Sequence, residues 1–205
     1  MKGSAVRYEF TNSWFADTAE EVWRDLIPKL NIRKALEIGS YEGASACFLL
    51  ENVPGIELTC IDTWQGGAEH AQDDMKAVQR RFNANTGLAV ENNPDAELSI
   101  RKCTSLKALS TMLNLYMIDP ISEELDFIYI DGSHEAPDVL TDAVMAYPLL
   151  RKGGMMVFDD YLWSAGGRSP IDCPKIAIDA FTTIFGRKMA FVRNVPLWQI
   201  WLQKV

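Results

Sequence analysis

The chain alternates between short apolar runs and longer amphipathic segments. Five of the apolar runs end in glycine, lysine or aspartate, a pattern typical of buried strands that stop at polar turns. They are RKALEIG (33–39), IELTCID (56–62), AELSIRK (96–102), LDFIYID (125–131) and GMMVFDD (154–160). Between them, helical spacing of apolar residues predicts helices at 43–52, 70–85, 105–117 and 137–150. Strands that alternate with helices predict parallel βαβ units, and therefore a doubly wound α/β fold with helices on both faces.

The two ends of the chain add further elements. TAEEVWRDLIPKL predicts a leading helix with Thr18 as its N-cap, because Glu21 lies three residues later as in a capping box. CPKIAIDAFTTIFG predicts a helix that begins near Pro174 and ends at Gly186. The last two apolar runs, KMAFVRN and LWQIWLQK, are too close together for a parallel crossover. The sheet is therefore expected to finish in an antiparallel hairpin.

Composition narrows the class of protein. A chain of 205 residues suits one domain, and we expect residues 1–30 to form a helical segment packed on a domain of residues 31–205. The net charge of −8 argues against a nucleic acid or an anionic membrane as the general partner. The chain contains no apolar run of about 18 residues, the length of a membrane span. Four cysteines, scattered singly, do not form a disulfide framework, so the sequence predicts a cytoplasmic protein.

The loop after the first strand, in LEIGSYEGAS, indicates which kind of ligand the sheet binds. Gly39 permits a tight turn, and Gly43 is expected to let the next helix pack close to the strand. Tyr41 stands where a dinucleotide-binding loop has its middle glycine, which disfavours NAD and FAD. Asp62 ends the second strand, where an acid can accept both hydroxyls of a ribose. These features fit a nucleoside ligand without a pyrophosphate, such as S-adenosylmethionine; a purely structural glycine turn and strand-end acid are the alternative.

Four motifs in register carry a family resemblance. LEIGSYEGAS, CIDTW, LDFIYIDGSHEAPDVL and LLRKGGMMVFDDY, followed by the terminal hairpin, resemble class I S-adenosylmethionine-dependent methyltransferases. In particular they look like a bacterial branch of small-molecule and sugar O-methyltransferases with an IDG(D/S)H-type fourth strand. The resemblance covers about residues 31–205 and implies a Rossmann-like seven-stranded sheet of order 3-2-1-4-5-7-6, with strand 7 antiparallel. The residues that it implies for binding the cofactor S-adenosyl-L-methionine are Glu37, Gly39, Ser40, Gly43, Ser45, Asp62, Thr63, Cys103, Thr104, Ser105 and Asp131.

Three acids follow the fourth and fifth strands. Asp131 ends one strand, and Asp159 and Asp160 end the other. Neighbouring strands lie about 4.8 Å apart, and like charges that close are unfavourable unless a proton or a cation relieves them. Carboxylate oxygens suit Mg²⁺, Mn²⁺ or Ca²⁺, and some of the resembling enzymes hold a divalent ion with such a set. In the alternative reading, the Asp pair only caps a loop and Asp131 only contacts the cofactor.

His134 is one of two histidines in the chain, and it follows the fourth strand in IDGSH. Pro137 fits the first turn of a helix, which leaves His134 in the loop above the expected methyl-transfer site. Several resembling enzymes carry a second acid, a candidate base, where this chain has Ser133. His134, which can accept a proton near neutral pH, is then the candidate base, and His134 and Asp131 are the candidate catalytic residues. Alternatively, His134 only bonds a carboxylate or a loop carbonyl.

The strand-four motif also bears on the acceptor. IDGSH replaces the NPPY-like tetrapeptide of many amino-methylating enzymes, so a hydroxyl of a small molecule is favoured as the acceptor. Trp14, Phe15, Trp163 and Arg168 are candidate walls of its pocket, although aromatic residues near the termini also serve core packing or a homodimer contact. A non-catalytic S-adenosylmethionine-binding domain that acts as a partner or scaffold remains the alternative function. An NAD-dependent oxidoreductase is disfavoured by Tyr41 and by the terminal hairpin.

Overall fold

A computed structural model describes residues 7–67, 70–164 and 169–205. Seven strands form one sheet of order β3-β2-β1-β4-β5-β7-β6. The strands are β1 (Lys34–Ile38), β2 (Glu57–Asp62), β3 (Glu97–Lys102), β4 (Leu125–Ile130), β5 (Leu150–Phe158), β6 (Met189–Phe191) and β7 (Ile200–Lys204). Strands β1 to β5 pair in parallel, and β7 is antiparallel to both β5 and β6. The predicted fold class, strand order and terminal hairpin are confirmed.

Eight α-helices connect and cover the strands in the described residues. They are α1 (Trp14–Thr18), α2 (Glu20–Leu26), α3 (Ala44–Asn52), α4 (Met75–Asn92), α5 (Ser105–Ile118), α6 (Pro120–Glu123), α7 (Ala136–Ala146) and α8 (Pro174–Phe185). Short 3₁₀ turns occupy Ile27–Lys29, Tyr147–Leu149 and Pro170–Asp172. In the described part of the chain, none of the helices combines the length and the apolar character that crossing a membrane requires.

The sheet separates two apolar cores. On one face, side chains of α2, α3 and α4 pack against β1, β2, β4, β5 and β7, and Trp23 of α2 lies fully buried at the centre. On the other face, α5, α7 and α8 pack on the alternate positions of the same strands. This alternation explains why the central strands are almost continuously apolar, because both of their faces are covered. The acids Asp62, Asp131 and Asp159 stand at or directly after the carboxyl ends of β2, β4 and β5, where the candidate site lies.

The predicted capping box at Thr18 is wrong. Thr18 is the last residue of α1, and its hydroxyl donates to the carbonyl of Trp14 at 2.7 Å. The next helix begins at Glu20 with Ala19 as its N-cap, and no side chain caps it. The motif failed because a short preceding helix, which the apolar pattern does not reveal, already uses the threonine.

The helix predicted at 70–85 is displaced. It begins at Met75 because the carboxylate of Asp74 accepts hydrogen bonds from the backbone N–H groups of Lys76 and Ala77, both at 3.1 Å. It continues to Asn92, seven residues beyond the predicted end. Smaller shifts affect the fifth strand, which begins at Leu150 rather than at residue 154, and α7, which stops at Ala146. Such shifts at element ends are ordinary for sequence patterns.

Candidate active site

The loop after β1, residues 39–43, lies directly against the end of β4. Gly39 has φ = +83°, and a Cβ atom there would stand 2.0 Å from the carbonyl oxygen of Asp131. The Gly39 N–H donates to the carbonyl of Ile61 in β2 at 2.9 Å. Glycine is therefore required here for both the turn and the close approach. The first loop therefore lies in contact with the backbone of Asp131 at the end of β4.

Asp62 at the end of β2 fastens the first loop. One of its oxygens accepts the backbone N–H groups of Ser40 and Tyr41 at 2.9 and 3.0 Å. Its other oxygen accepts the N–H of Trp64 at 2.6 Å. Asp62 thus fixes the backbone of the loop. Its two oxygens keep lone pairs that these three hydrogen bonds do not use. Its contact with a ribose stays a prediction.

Glu37 lies beneath the first loop. It is fully buried and accepts the hydroxyls of Ser40 and Ser45, both at 2.5 Å, and the thiol of Cys60 at 3.3 Å. Burial raises the pKa of this carboxyl above its ordinary value, while the three donors oppose that shift. In the structure the carboxyl therefore braces the loop from below, together with two of the serines predicted for cofactor binding.

Gly43 serves a different contact from the one predicted. It is the N-cap of α3 at φ = +84°, and a Cβ atom there would lie 2.9 Å from Cδ2 of Phe82 and 3.2 Å from Cγ2 of Thr86. Both neighbours belong to α4. The glycine therefore lets α4, rather than the adjacent strand, approach the loop.

Glu42, in the middle of the first loop, was missed by the sequence reasoning. Its side chain is buried and accepts the backbone N–H of Thr11 at 2.6 Å, the hydroxyl of Thr11 at 2.8 Å and Nε of Arg81 at 2.5 Å. Asn85 adds a bond from its side-chain nitrogen to the Glu42 carbonyl at 2.9 Å. The N-terminal segment and α4 are thereby tied to the loop.

An aromatic group covers the outer side of the first loop. The Tyr41 ring stacks on His70 with centroids 5.0 Å apart, and Trp14 lies 5.2 Å from the same tyrosine. Asp73 accepts the Tyr41 hydroxyl at 3.2 Å and bonds Nδ1 of His70 at 2.9 Å. Of the candidate pocket walls, Trp14 is therefore placed beside the loop. Phe15 instead packs on Trp23 and Phe48.

The end of β3 brings three more predicted residues to this edge. Cys103 is partly buried, and Thr104 is the N-cap of α5, its hydroxyl accepting the Lys107 N–H at 3.4 Å. Ser105 opens α5 and hydrogen-bonds the buried Asp142 of α7. Burial raises the pKa of Asp142 to about 6.

The acids of β4 and β5 meet around a tyrosine. The Tyr129 hydroxyl donates to Asp131 at 3.0 Å and also to Asp159. Asp159 further accepts Nε2 of Gln199 at 3.1 Å, and Gln199 in turn accepts the indole N–H of Trp23 at 2.9 Å. Burial, joined by the charges of neighbouring acids, raises the pKa of Asp131 well above its ordinary value and that of Asp159 to about 6.

His134 pairs with the third acid. Its Nε2 lies 2.6 Å from a carboxylate oxygen of Asp160, and its ring stacks on Trp163 with centroids 4.1 Å apart and planes 13° from parallel. Asp160 itself sits at φ = +57° and its N–H donates to the Asp159 carboxylate at 2.8 Å. The acid fixes the orientation of the imidazole. Trp163, a candidate wall of the acceptor pocket, therefore lies beside the candidate base.

A small cavity joins these groups. Its volume is about 10 Å³, space for a single water-sized group, and it is bordered by Asp131, Ser133, His134, Asp159, Asp160 and Pro174. Carboxylate oxygens are suitable ligands for a divalent cation. A bound cation would also reduce the repulsion between these carboxylates. Within the described ranges, however, no group of three or more acids, histidines or cysteines is arranged to hold a metal ion. Instead, the hydroxyl of Tyr129 bonds Asp131 and Asp159, and His134 bonds Asp160.

Two further predicted residues complete the account. Thr63 follows Asp62 and its hydroxyl accepts the Gln65 N–H at 3.1 Å, so it stabilises the turn after β2. Arg168 lies outside the described residues. Trp64 is buried and donates its indole N–H to the Tyr41 carbonyl at 2.9 Å.

Of the residues that sequence reasoning missed, one had a local signal. Tyr129 stands two positions before Asp131 in a strand, and alternate residues share a face. Gln199 and Glu42 had no local signal. Gln199 bonds Trp23 across 176 residues of chain, and Glu42 bonds Thr11 across 31.

Comparisons with known proteins show the family and the fold of the chain. Residues 36–161, more than half of the chain, match the sequence model of a family described as methyltransferase domain. Among solved structures, an O-methyltransferase from Bacillus cereus in complex with SAH superposes with a TM-score of 0.65 at 17% identity, covering 97% of this chain and 84% of that one. The O-methyltransferase TomG from Streptomyces achromogenes, involved in tomaymycin synthesis and in complex with SAM, gives 0.63 at 18% identity, covering 90% and 78%. At these identities the similarity concerns the fold.

A curated relative extends the comparison. An uncharacterized protein of Acanthamoeba polyphaga mimivirus is 29% identical over 131 residues, which are 62% of this chain. The chain spans about half the length of that relative. The matched region of the family contains the first loop, Asp62, Asp131, His134 and the Asp159–Asp160 pair. The chain belongs to the methyltransferase-domain family.

Proposed function

We propose that the protein is an S-adenosylmethionine-dependent O-methyltransferase that acts on a hydroxyl of a small molecule. The observation that carries the proposal is the His134–Asp160 pair, 2.6 Å apart, in a cavity that also borders Asp131. The backbone of Asp131 touches the first loop, since its carbonyl oxygen would stand 2.0 Å from a Cβ at Gly39. A candidate base therefore lies next to the loop that the family resemblance assigns to the cofactor.

When bound, S-adenosylmethionine supplies a methyl group on a sulfonium sulfur. The first loop and Asp62 offer a rigid cradle for it, because Glu37 and Glu42 brace the loop from two sides. His134 removes the proton of the acceptor hydroxyl, and Asp160 stabilises the imidazolium that results. The rest of the catalysis is alignment of the oxygen with the methyl carbon, for which Trp163 provides a flat wall beside His134.

Divalent-metal assistance is a finer part of the proposal. Asp131, Asp159 and Asp160 would hold Mg²⁺ (or Mn²⁺ or Ca²⁺), which lowers the pKa of a hydroxyl bound to it. Its support is the chemistry of three crowded carboxylates, two of which have pKa values raised by burial and by the charges of neighbouring acids. The arrangement of the described side chains does not add to that support.

Location and assembly complete the proposal. All four cysteines are free thiols, and three of them are buried, which suits a reducing compartment such as the cytoplasm. We also propose that the protein forms a homodimer. Its other partner is the small-molecule methyl acceptor.

The test is transfer of labelled methyl from S-adenosylmethionine to small hydroxyl compounds, with catechol and a hexose as probes and aniline as the nitrogen counterpart. We expect labelled ether from a hydroxyl probe at neutral pH. His134→Ala should lose turnover and partly recover it at high pH, where the hydroxyl ionises without a base. Ser110→Ala, exposed on α5 and not among the residues that border this cavity, is the control and should retain turnover.

The second candidate function, a non-catalytic S-adenosylmethionine-binding partner, predicts a different result. It requires cofactor binding without transfer to either hydroxyl probe, and binding unaffected by Asp159→Asn. Crowded acids next to a histidine argue against it, since a binding module gains nothing from their repulsion.

A further inference from the structure

Strand β3 (Glu97–Lys102) forms one edge of the sheet and, among the described residues, pairs only with β2. Four of its six side chains are exposed, including Ile100 at 45%. An edge strand presents unpaired backbone groups to solvent and can therefore accept another strand. The question is which strand this edge fits.

The direction of the backbone groups can be read from one bond. The Glu97 N–H donates inward to the Ile56 carbonyl, before β2, at 2.7 Å. Because backbone groups alternate in direction along a strand, those of Leu98 and Ile100 point out of the sheet. Leu98 and Ile100 would make the hydrogen bonds to an added strand.

The side chains of β3 are self-complementary around Ser99. If a second copy of β3 lies antiparallel with Ser99 opposite Ser99, Leu98 faces Ile100 and Glu97 faces Arg101, each pair twice by symmetry. Outward backbone groups then meet in the Leu98–Ile100 pairs, as an antiparallel ladder requires. Opposite charges and apolar pairs in these positions are favourable. Shifting the register to place Ile100 opposite Ile100 would set Arg101 against Ser99 and lose both charge pairs.

Arg101 is the charged partner that Glu97 needs in this pairing. Its Nε atom is enclosed by the chain's own atoms and, in the described part of the chain, has no hydrogen-bond partner, while the residue as a whole is partly exposed. It borders a cavity of about 170 Å³ on the face of the sheet that also carries Glu97 and Ser99. A carboxylate from the opposite strand is the partner that a guanidinium prefers. Glu97 of a second copy would supply it.

We propose that two copies of this chain associate through their β3 edges, antiparallel about Ser99, so that one continuous sheet runs across a two-fold symmetric dimer. The contact is isologous, as in most homodimers. Two strands alone cover less than the ~1,200 Å² typical of a stable interface, so flanking elements must contribute. Helix α6, whose Glu123 borders the same cavity, and the end of α5 expose Met117, Ile118 and Ile121, each at least 79%.

Sedimentation velocity over a concentration series tests the dimer without reference to activity. The wild-type protein should sediment as a species whose mass is twice the 23.0 kDa of the chain. Glu97→Arg and Arg101→Glu each set like charges opposite one another and should raise the dimer dissociation constant by about tenfold or more. The double variant Glu97→Arg/Arg101→Glu restores opposite charges and should recover the dimer, which a variant that merely misfolds cannot do.

Cross-linking tests the register. Residues that face each other in a non-hydrogen-bonded pair have Cα atoms about 4.5 Å apart, within the range of a disulfide. In a Cys103→Ser background, Ser99→Cys should therefore form a covalent dimer on mild oxidation. Ser110→Cys, exposed on α5, is the matched control and should remain monomeric under denaturing electrophoresis.

Three results would overturn the proposal. The first is a wild-type protein that stays monomeric at every concentration. The second is a dimer that is indifferent to Glu97→Arg, which would place the interface elsewhere. The third is a Ser99→Cys protein that cross-links no faster than Ser110→Cys. None of these outcomes depends on whether the protein transfers methyl groups.

Discussion

Gly39→Ala tests whether the first loop must rest on the end of β4. The residue has φ = +83°, and the added Cβ would stand 2.0 Å from the Asp131 carbonyl oxygen. No flexible side chain can move aside, because the three nearest atoms all belong to the backbone of Asp131 and Gly132. The loop and the strand end must therefore separate.

The expected cost has two parts. A left-handed conformation costs an L-residue about 1–2 kcal/mol. Forcing an extra carbon into a packed position typically costs about 1–3 kcal/mol more. The free energy of unfolding should therefore fall by roughly 2–5 kcal/mol, a large share of the roughly 5–15 kcal/mol of a typical domain.

Urea unfolding followed by tryptophan fluorescence measures this change. Gly87→Ala is the matched control, because Gly87 lies inside α4 and a Cβ there meets no atom within 4 Å. That variant should gain about 0.5–1 kcal/mol, since glycine disfavours a helix interior. If Gly39→Ala keeps wild-type stability and wild-type affinity for S-adenosylmethionine, the first loop does not need to rest on the end of β4.

Three further predictions follow from the same structure. Glu42→Gln removes the charge that Arg81 and Thr11 share, so the free energy of unfolding should fall by about 1–3 kcal/mol. Limited proteolysis should cut before Trp14 faster than in the wild type. Equal rates of cutting would contradict the conclusion that Glu42 ties the N-terminal segment to the loop. The folded-state pKa of Asp142 is raised to about 6, so its contribution to stability is present below about pH 4 and is lost as the pH rises through 6. Asp142→Asn should therefore flatten the loss of stability between pH 4 and 7 and be about 1–2 kcal/mol more stable at pH 7; an unchanged pH profile in urea titrations would contradict the buried charge. If metal assistance operates, a chelator abolishes methyl transfer and Mg²⁺ restores it, whereas undiminished turnover in chelator rules it out.

The sequence predicted those parts of the fold that depend on local patterns. Five apolar runs predicted the parallel units, and the short spacing before LWQIWLQK predicted the final hairpin, whereas the order of the strands was implied by the family resemblance. Element ends were less predictable, because they depend on particular caps: Asp74 caps α4, while Thr18 belongs to a helix that is too short to show a period.

The candidate site shows the same division. Strand-end residues such as Gly39, Asp62, Asp131 and His134 could be found because the ends of parallel strands share one edge of the sheet. The residues that hold them could not, since Glu42 and Gln199 act through partners that are distant in the chain. Asp62, which is predicted to bind a ribose, illustrates both points. It lies at the end of β2, as expected from the sequence, and it also fastens the first loop through its backbone N–H groups.

Calorimetric titration of the purified protein with S-adenosylmethionine, with and without Mg²⁺ and with NADH as the comparison ligand, tests the proposed cofactor. We expect one site of micromolar affinity for S-adenosylmethionine and no heat of binding with NADH. Absence of S-adenosylmethionine binding in both buffers, or binding of NADH at the same site, would contradict the proposed function.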